Sequence, residues 1–216
     1  MDSEFARQQM VAQQIRAWEV FDPRVLSVVA EVPRERFVPP GFSHLAFADT
    51  EIPLGRGQYM MTPTVEGRVL QALKLAPDDS VLEIGTGSGF LSACLARLAH
   101  SVVSVDIFPD LTETAAGNLA AAGIENVTLA TLDATRELPR GPFNAIAVTG
   151  SLPLFDTRFY EVLKPEGRLF VIVGNAPVME AQVLVRGADD LPEVTSLFET
   201  NVPPLLNAAA LPAFHF

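Results

Sequence analysis

Cysteine is almost missing from this chain. Cys94 stands alone among 216 residues, so no intrachain disulfide and no cysteine-based metal cluster can be built. Positive charge is scarce as well: 15 Lys and Arg face 26 Asp and Glu, for a formal charge of −11. Nucleic-acid affinity rests on Lys and Arg neutralising phosphates, and anionic lipid surfaces likewise attract cations. The balance therefore argues against a nucleic-acid or membrane partner. No apolar run approaches the roughly 20 residues that a membrane span requires. The opening Met1-Asp2-Ser3-Glu4 lacks the basic and apolar regions of a signal peptide, so a cytoplasmic location is expected. His44, His100 and His215 are too scattered to suggest a metal site. Internal repeats, low-complexity tracts and long linkers are absent too. What remains is a protein or peptide substrate, or a small-molecule acceptor; the oligomeric state is left open.

Apolar residues, by contrast, are plentiful at 49%, enough to bury a substantial core. The length fits a single domain over 1–216. Phe5, Val11, Ile15 and Trp18 recur at near-helical spacing, which predicts an amphipathic helix over 5–18. Asp22-Pro23 opens a second helix. Residues 32–63 hold five prolines and read mostly as loop. Thr62-Pro63 is an N-cap followed by proline at the first helical position, and the helix behind it is expected to bury Val65, Val69, Leu70 and Leu73.

From Asp79 onward the pattern alternates. Ser80–Ile84, Ser101–Val105, Asn126–Ala130, Asn144–Thr149 and Arg168–Val173 are short apolar or β-branched runs. Ser88–Ala99 and Asp110–Ala122 are helix-length segments between them. Strands buried on both faces read this way, and repeated βα units imply a Rossmann-like, doubly wound, mainly parallel α/β sheet. Ala181–Arg186 and Val194–Asn201 are expected to add an antiparallel hairpin at its edge. The domain then divides into an N-terminal helical and loop cap (1–78), an α/β core (79–174) and edge strands with a tail (175–216).

Val81-Leu82-Glu83-Ile84-Gly85-Thr86-Gly87-Ser88-Gly89 falls at the first strand-to-helix turn of this run. Glycine suits a tight turn that a ligand approaches with no Cβ in its way. The dinucleotide fingerprint has a later third glycine; here Phe90 stands at that place. An acid closes each of three successive strands. Glu83 could face a cationic amino-acid group, Asp106 could accept from both ribose hydroxyls, and Asp133 lies near where an adenine amino group would sit. S-adenosyl-L-methionine fits, because it offers ribose, adenine and an ammonium but no phosphate. The cofactor-binding set is therefore read as Glu83, Gly85, Thr86, Gly87, Ser88, Gly89, Asp106, Ile107, Asp133 and Ala134.

Val81–Gly89 with Phe90 resembles motif I of class I S-adenosylmethionine-dependent methyltransferases. The flanks resemble one family in particular, protein-L-isoaspartate O-methyltransferase. The matching stretches are Val32-Pro33-Arg34-Glu35-Arg36-Phe37-Val38-Pro39, Ile52-Pro53-Leu54-Gly55-Arg56-Gly57-Gln58, Pro142-Phe143-Asn144-Ala145-Ile146 and Leu163-Lys164-Pro165-Glu166-Gly167-Arg168-Leu169. Similarity runs on to Val202-Pro203-Pro204-Leu205. The resemblance implies carboxyl O-methylation of isoaspartyl residues in damaged proteins, a repair activity. It also implies an active-site serine, and here the sequence departs. Where the family has Thr-Ile-Ser-x-Pro, this chain has Tyr59-Met60-Met61-Thr62-Pro63, so Met61 takes the serine's place. A thioether cannot donate a hydrogen bond to a carboxylate. Gln58 and Thr62 are the polar groups left there to orient an acceptor, and no catalytic residue is assigned.

A carboxylate acceptor is already ionised at neutral pH and needs no general base, whereas a phenol or amine would. Cys94 reads as a small core residue, and His44 as a loop residue that could approach the site. Met60 and Met61 pack against the donor's methylthio region or wall an altered acceptor pocket. Three readings stay open on the residues alone: an isoaspartyl methyltransferase, a divergent methyltransferase for another acceptor, and a cofactor-binding protein without catalysis.

Overall fold

The computed structural model describes residues 3–187 and 191–210; His215 lies outside them. The helical run at the start is continuous but not uniform. It comprises α1 (Ser3–Gln9), a π turn (Met10–Ile15) and a 3-10 turn (Arg16–Trp18). Its inward face is the expected one in part: Ile15 is buried and Val11 packs against the core, but Met10 joins them while Phe5 and Trp18 are 55% and 41% exposed. Met10 and Ile15 are five residues apart, which matches the i→i+5 bonding of a π turn and not the 3.6-residue period. Next comes α2 (Pro23–Glu31), where the Asp22 side chain accepts from the Arg24 N–H.

Residues 32–63 carry more order than their prolines suggest. Two short 3-10 segments lead into a hairpin of β1 (Ile52–Gly55) and β2 (Gln58–Met60). Its two-residue loop, Arg56-Gly57, has φ of 54° and 72°, the left-handed pair that a tight hairpin of this twist requires. α3 (Pro63–Leu73) follows, capped by Thr62, with Val65, Val69, Leu70 and Leu73 buried as expected.

The remaining elements are β3 (Ser80–Ile84), α4 (Phe90–Leu98), β4 (Ser101–Asp106), α5 (Pro109–Ala121), β5 (Val127–Thr131), β6 (Phe143–Leu152), α6 (Thr157–Glu161), β7 (Leu163–Asn175), β8 (Val178–Arg186) and β9 (Pro192–Thr200). Seven of these strands form one sheet in the order β5-β4-β3-β6-β7-β8-β9. The five from β5 to β7 are parallel, and β8 and β9 complete the edge as the expected antiparallel hairpin.

Alternation along each strand splits the core in two. Val81, Val102, Ala145, Ala147, Phe170 and Ile172 pack with α2, α3 and α4. Leu82, Ile84, Ile146, Val148, Leu169 and Val171 face the other way, where α6 and the loops around Leu132 and Leu205 cover them. The chain runs from β3 outward to β5, then crosses back to lay β6 on the other side of β3. Such a reversal opens a crevice at the carboxyl ends of the two central strands. The segment from Arg36 to Met61 borders that end, whereas α2 sits beside Leu98 and Ala99, where α4 has run to the far end of the strands.

Candidate active site

The crevice is an open cleft bordered by the ends of β3, β4 and β6, the β1–β2 hairpin and residues 203–206. Its floor is the glycine loop. Gly85 has a φ of 100°, and a Cβ there would lie 2.1 Å from Thr149 Oγ1. That hydroxyl is 2.9 and 3.0 Å from the carbonyl oxygens of Ile84 and Gly85, to which it donates. The loop is thereby fastened to β6. Gly85→Ala is expected to destabilise the fold by about 1–3 kcal/mol through backbone strain and this clash, seen as a lower Tm; an unchanged melt would remove the clash from the account. Gly89 does not line the cleft. It starts α4 at a φ of 85°, with Ala115 of α5 close enough that a Cβ would sit 3.1 Å from that residue's own Cβ.

The three strand-end acids converge on this end of the sheet, each in a different electrostatic setting. Asp106, at the end of β4, lines the cleft; its Oδ2 accepts from the Gly87 N–H and its Oδ1 from the Phe108 N–H, both at 3.0 Å. Burial raises its pKa, against the lowering effect of those amides. Asp133, just past β5, accepts from the N–H and hydroxyl of Thr135 at 3.0 and 2.6 Å and from the Asn207 side chain at 2.8 Å. Burial pushes its carboxyl up, but these bonds and the nearby Arg136 outweigh it and hold the pKa below the usual value. Glu83 lies deeper. It shares the parity of Val81 and is fully buried under α4, where Oε2 accepts from the Ser92 and Ser104 hydroxyls. Burial pushes its pKa up to about 7. Its Oε1 is buried with no hydrogen-bond partner, and the residue lines a second, smaller hollow.

Thr86, Gly87 and Ser88 line this hollow with Gly85, while Ile107 and Ala134 line the larger cleft with Asp106 and Asp133. Gln58 borders the larger cleft rather than Met61's side, and its amide makes only a long contact of 3.4 Å to the Arg56 carbonyl. Thr62 is occupied as the cap of α3, and its hydroxyl is 2.9 Å from that of Thr64, which donates to Asp49. Met61 separates two spaces, the small hollow on one side and an outer groove beside Trp18, Glu51 and Asn201 on the other. Its carbonyl accepts from Arg34 Nη2 at 2.7 Å. His44 and His100 are exposed and line neither cavity. Cys94 is buried in the core.

Several wall residues escaped the sequence reading. Thr149 and Gly150 could have been found, because they end a recognised strand at the ligand-bearing edge. Leu54 and Tyr59 come from the unforeseen hairpin. Pro203, Pro204, Leu205 and Leu206 form a strap along the cleft. Ser151 fastens it: its N–H donates to the Pro203 carbonyl at 3.0 Å, and its own carbonyl accepts from the Leu205 N–H at 2.9 Å. Among the described residues no group of three or more His, Cys, Asp or Glu is arranged to hold a metal, and no helix is long and apolar enough to cross a membrane.

Comparison with known proteins agrees with this layout. A protein from Methanoregula boonei named protein-L-isoaspartate O-methyltransferase is 40% identical over 181 residues, covering 83% of each chain. One from an Anaeromyxobacter species, named protein-L-isoaspartate O-methyltransferase 1, is 38% identical over 198 residues, covering 90% of this chain and 93% of its own. Among solved structures, a Plasmodium falciparum chain described as a protein-L-isoaspartate O-methyltransferase in complex with S-adenosyl-L-homocysteine superposes with a TM-score of 0.81. It covers 92% of this chain and 97% of its own at 17% identity, and so supports the fold. The model of the protein-L-isoaspartate(D-aspartate) O-methyltransferase family matches residues 5–207, and the chain belongs to that family.

Proposed function

We propose that this protein transfers a methyl group from S-adenosyl-L-methionine to the free α-carboxylate of isoaspartyl residues in proteins or peptides. The observation that carries the reading is the set of three strand-end carboxylates around one glycine loop, two in the larger cleft and one in the adjoining hollow, on a chain of this family. When bound, the cofactor supplies an electrophilic methyl on a sulfonium. The chain's own residues would do the holding. Asp106 keeps lone pairs free for ribose hydroxyls, and Asp133 offers an acceptor to an adenine amino group. The unpaired Glu83 oxygen suits an ammonium. Gly89 opens α4 without a side-chain cap, so the first N–H groups of that helix suit a carboxylate.

An isoaspartyl carboxylate arrives ionised, so the site needs to orient it rather than deprotonate it. Positioning of donor and acceptor at near-attack distance can be worth roughly 7–11 kcal/mol. The hairpin and the strap would shield that encounter from water.

The direct test is methyl transfer from labelled cofactor to an isoaspartyl peptide, run beside its aspartyl counterpart and a cell extract. Labelling of the isoaspartyl peptide alone is expected. Labelling confined to the extract would favour a second reading, another acceptor, which the thioether of Met61 at the serine position supports. The ribose assignment has its own check. Calorimetry with S-adenosyl-L-homocysteine is expected to give a micromolar Kd or tighter, around −8 kcal/mol. Asp106→Asn is expected to weaken it about tenfold by removing a charge-assisted bond; equal affinity would cancel Asp106's role.

A further inference from the structure

The small hollow beside the glycine loop holds more carboxyl oxygens than its hydrogen bonds account for. Glu83 enters it from β3, and Glu66 enters it from the first turn of α3. Glu66 is 2% exposed. Its Oε2 accepts from Arg34 Nη1, while Oε1 has no partner among the described residues. The buried Glu83 likewise keeps one oxygen unpaired. Arg34 is itself fully buried, with its guanidinium 4.7 Å from the centre of the Phe90 ring. Arg34 thus pairs with Glu66 alone, and Glu83 is held only by the hydroxyls of Ser92 and Ser104. Pairing with Arg34 accounts for one Glu66 oxygen, on a residue that lines the hollow.

Unpaired charge in such a place is costly. What complements two free acceptor oxygens is a compact cation with several N–H donors, which is a primary ammonium. The opposite wall is built for the other end of an amino acid, because the uncapped start of α4 at Phe90 and Leu91 borders the same hollow. We propose that Glu66 acts with Glu83 as a second carboxylate receptor for the ammonium group of the methyl donor's amino-acid end. The assignment rests on the cofactor reading above and adds to it a binding residue outside the glycine motif. Arg34 then serves to keep Glu66 turned toward the cavity while leaving one oxygen free.

The test compares ligands that differ only at this end, by calorimetry on the full chain. S-adenosyl-L-homocysteine carries the ammonium, its desamino analogue lacks only that group, and 5′-methylthioadenosine lacks the whole amino-acid end. Wild type is expected to bind S-adenosyl-L-homocysteine at least tenfold more tightly than the desamino analogue. Glu66→Gln, which keeps an oxygen for Arg34, is expected to lose about tenfold for S-adenosyl-L-homocysteine while holding 5′-methylthioadenosine within twofold. Equal losses for both ligands, or none, would overturn the assignment. Should Glu66→Gln melt below the assay temperature, the wild-type comparison stands by itself, and equal affinity for the amino and desamino ligands overturns the assignment. If wild type bound no adenosine ligand at all, the cofactor reading would fail first and take this one with it.

Discussion

Met61→Ser is expected to raise kcat/KM for an isoaspartyl peptide by about 10- to 100-fold. The magnitude follows from charge satisfaction, since each hydrogen bond to a desolvated charged group is worth about 1.5–3 kcal/mol. Methionine offers the incoming carboxylate no donor, and its side chain fills part of the partition between the inner hollow and the outer groove. Serine would supply a hydroxyl and open the partition at once. The backbone should stay where it is, because Arg34 holds the Met61 carbonyl and Thr62 caps the helix immediately after it. A parallel Met61→Ala variant separates the two effects. A gain in Ser but not Ala identifies the hydrogen bond, whereas equal gains identify the volume. Wild-type turnover that neither change alters would defeat the argument.

The second large effect is on stability. Burial pushes both Glu66 and Glu83 to about 7 from an ordinary value of 4.5, in Glu66 even against the Arg34 charge. Between those values the folded protein keeps protons that the unfolded chain has released. Stability must then fall as pH rises across that window. Below about 4.5 both states are protonated and nothing is lost; above about 7 both are ionised and the full penalty stands. Each group accounts for about 3 kcal/mol, since one pKa unit is worth 1.36 kcal/mol. Asp22, Asp133 and Asp156 have lowered pKa values and act the other way, but only as pH falls through the acid range below 3.8. Urea titrations of the ligand-free protein should show higher stability at pH 5.5 than at pH 8, by several kcal/mol. Glu83→Gln should flatten the curve by about half. A level profile between these values would mean that neither carboxylate is held neutral.

Sequence and structure agree where local pattern and burial pull the same way. Ser80–Ile84 is apolar on both faces and was recognisable as a central strand, and the acid after each strand followed from the α/β order. Disagreement appears where a long-range partner sets the outcome. The opening helix buries Ile15 as expected but takes Met10 in place of Phe5 and Trp18, across a π turn that resets its period. Nothing local marks Glu66, whose neighbours on a helical wheel are core residues, and only its meeting with Arg34 from 32 positions away reveals a buried ion pair. Thr62 caps α3 as its place before Pro63 foretold, and its hydroxyl also meets that of Thr64. The hairpin was hidden by Pro53 and three turn-forming residues, although its Arg-Gly corner carries the required left-handed pair.

The strap beside the cleft ties the site to the order of synthesis. Residues 203–206 are held along the cleft by pairing with Ser151, by Leu205 packing on the core and by the Asn207 side chain donating to Asp133. The βα units that floor the cleft are all made before these residues appear. A chain ending after β9 would hold every strand of the sheet but lack the strap, and one side of the cleft would stand open.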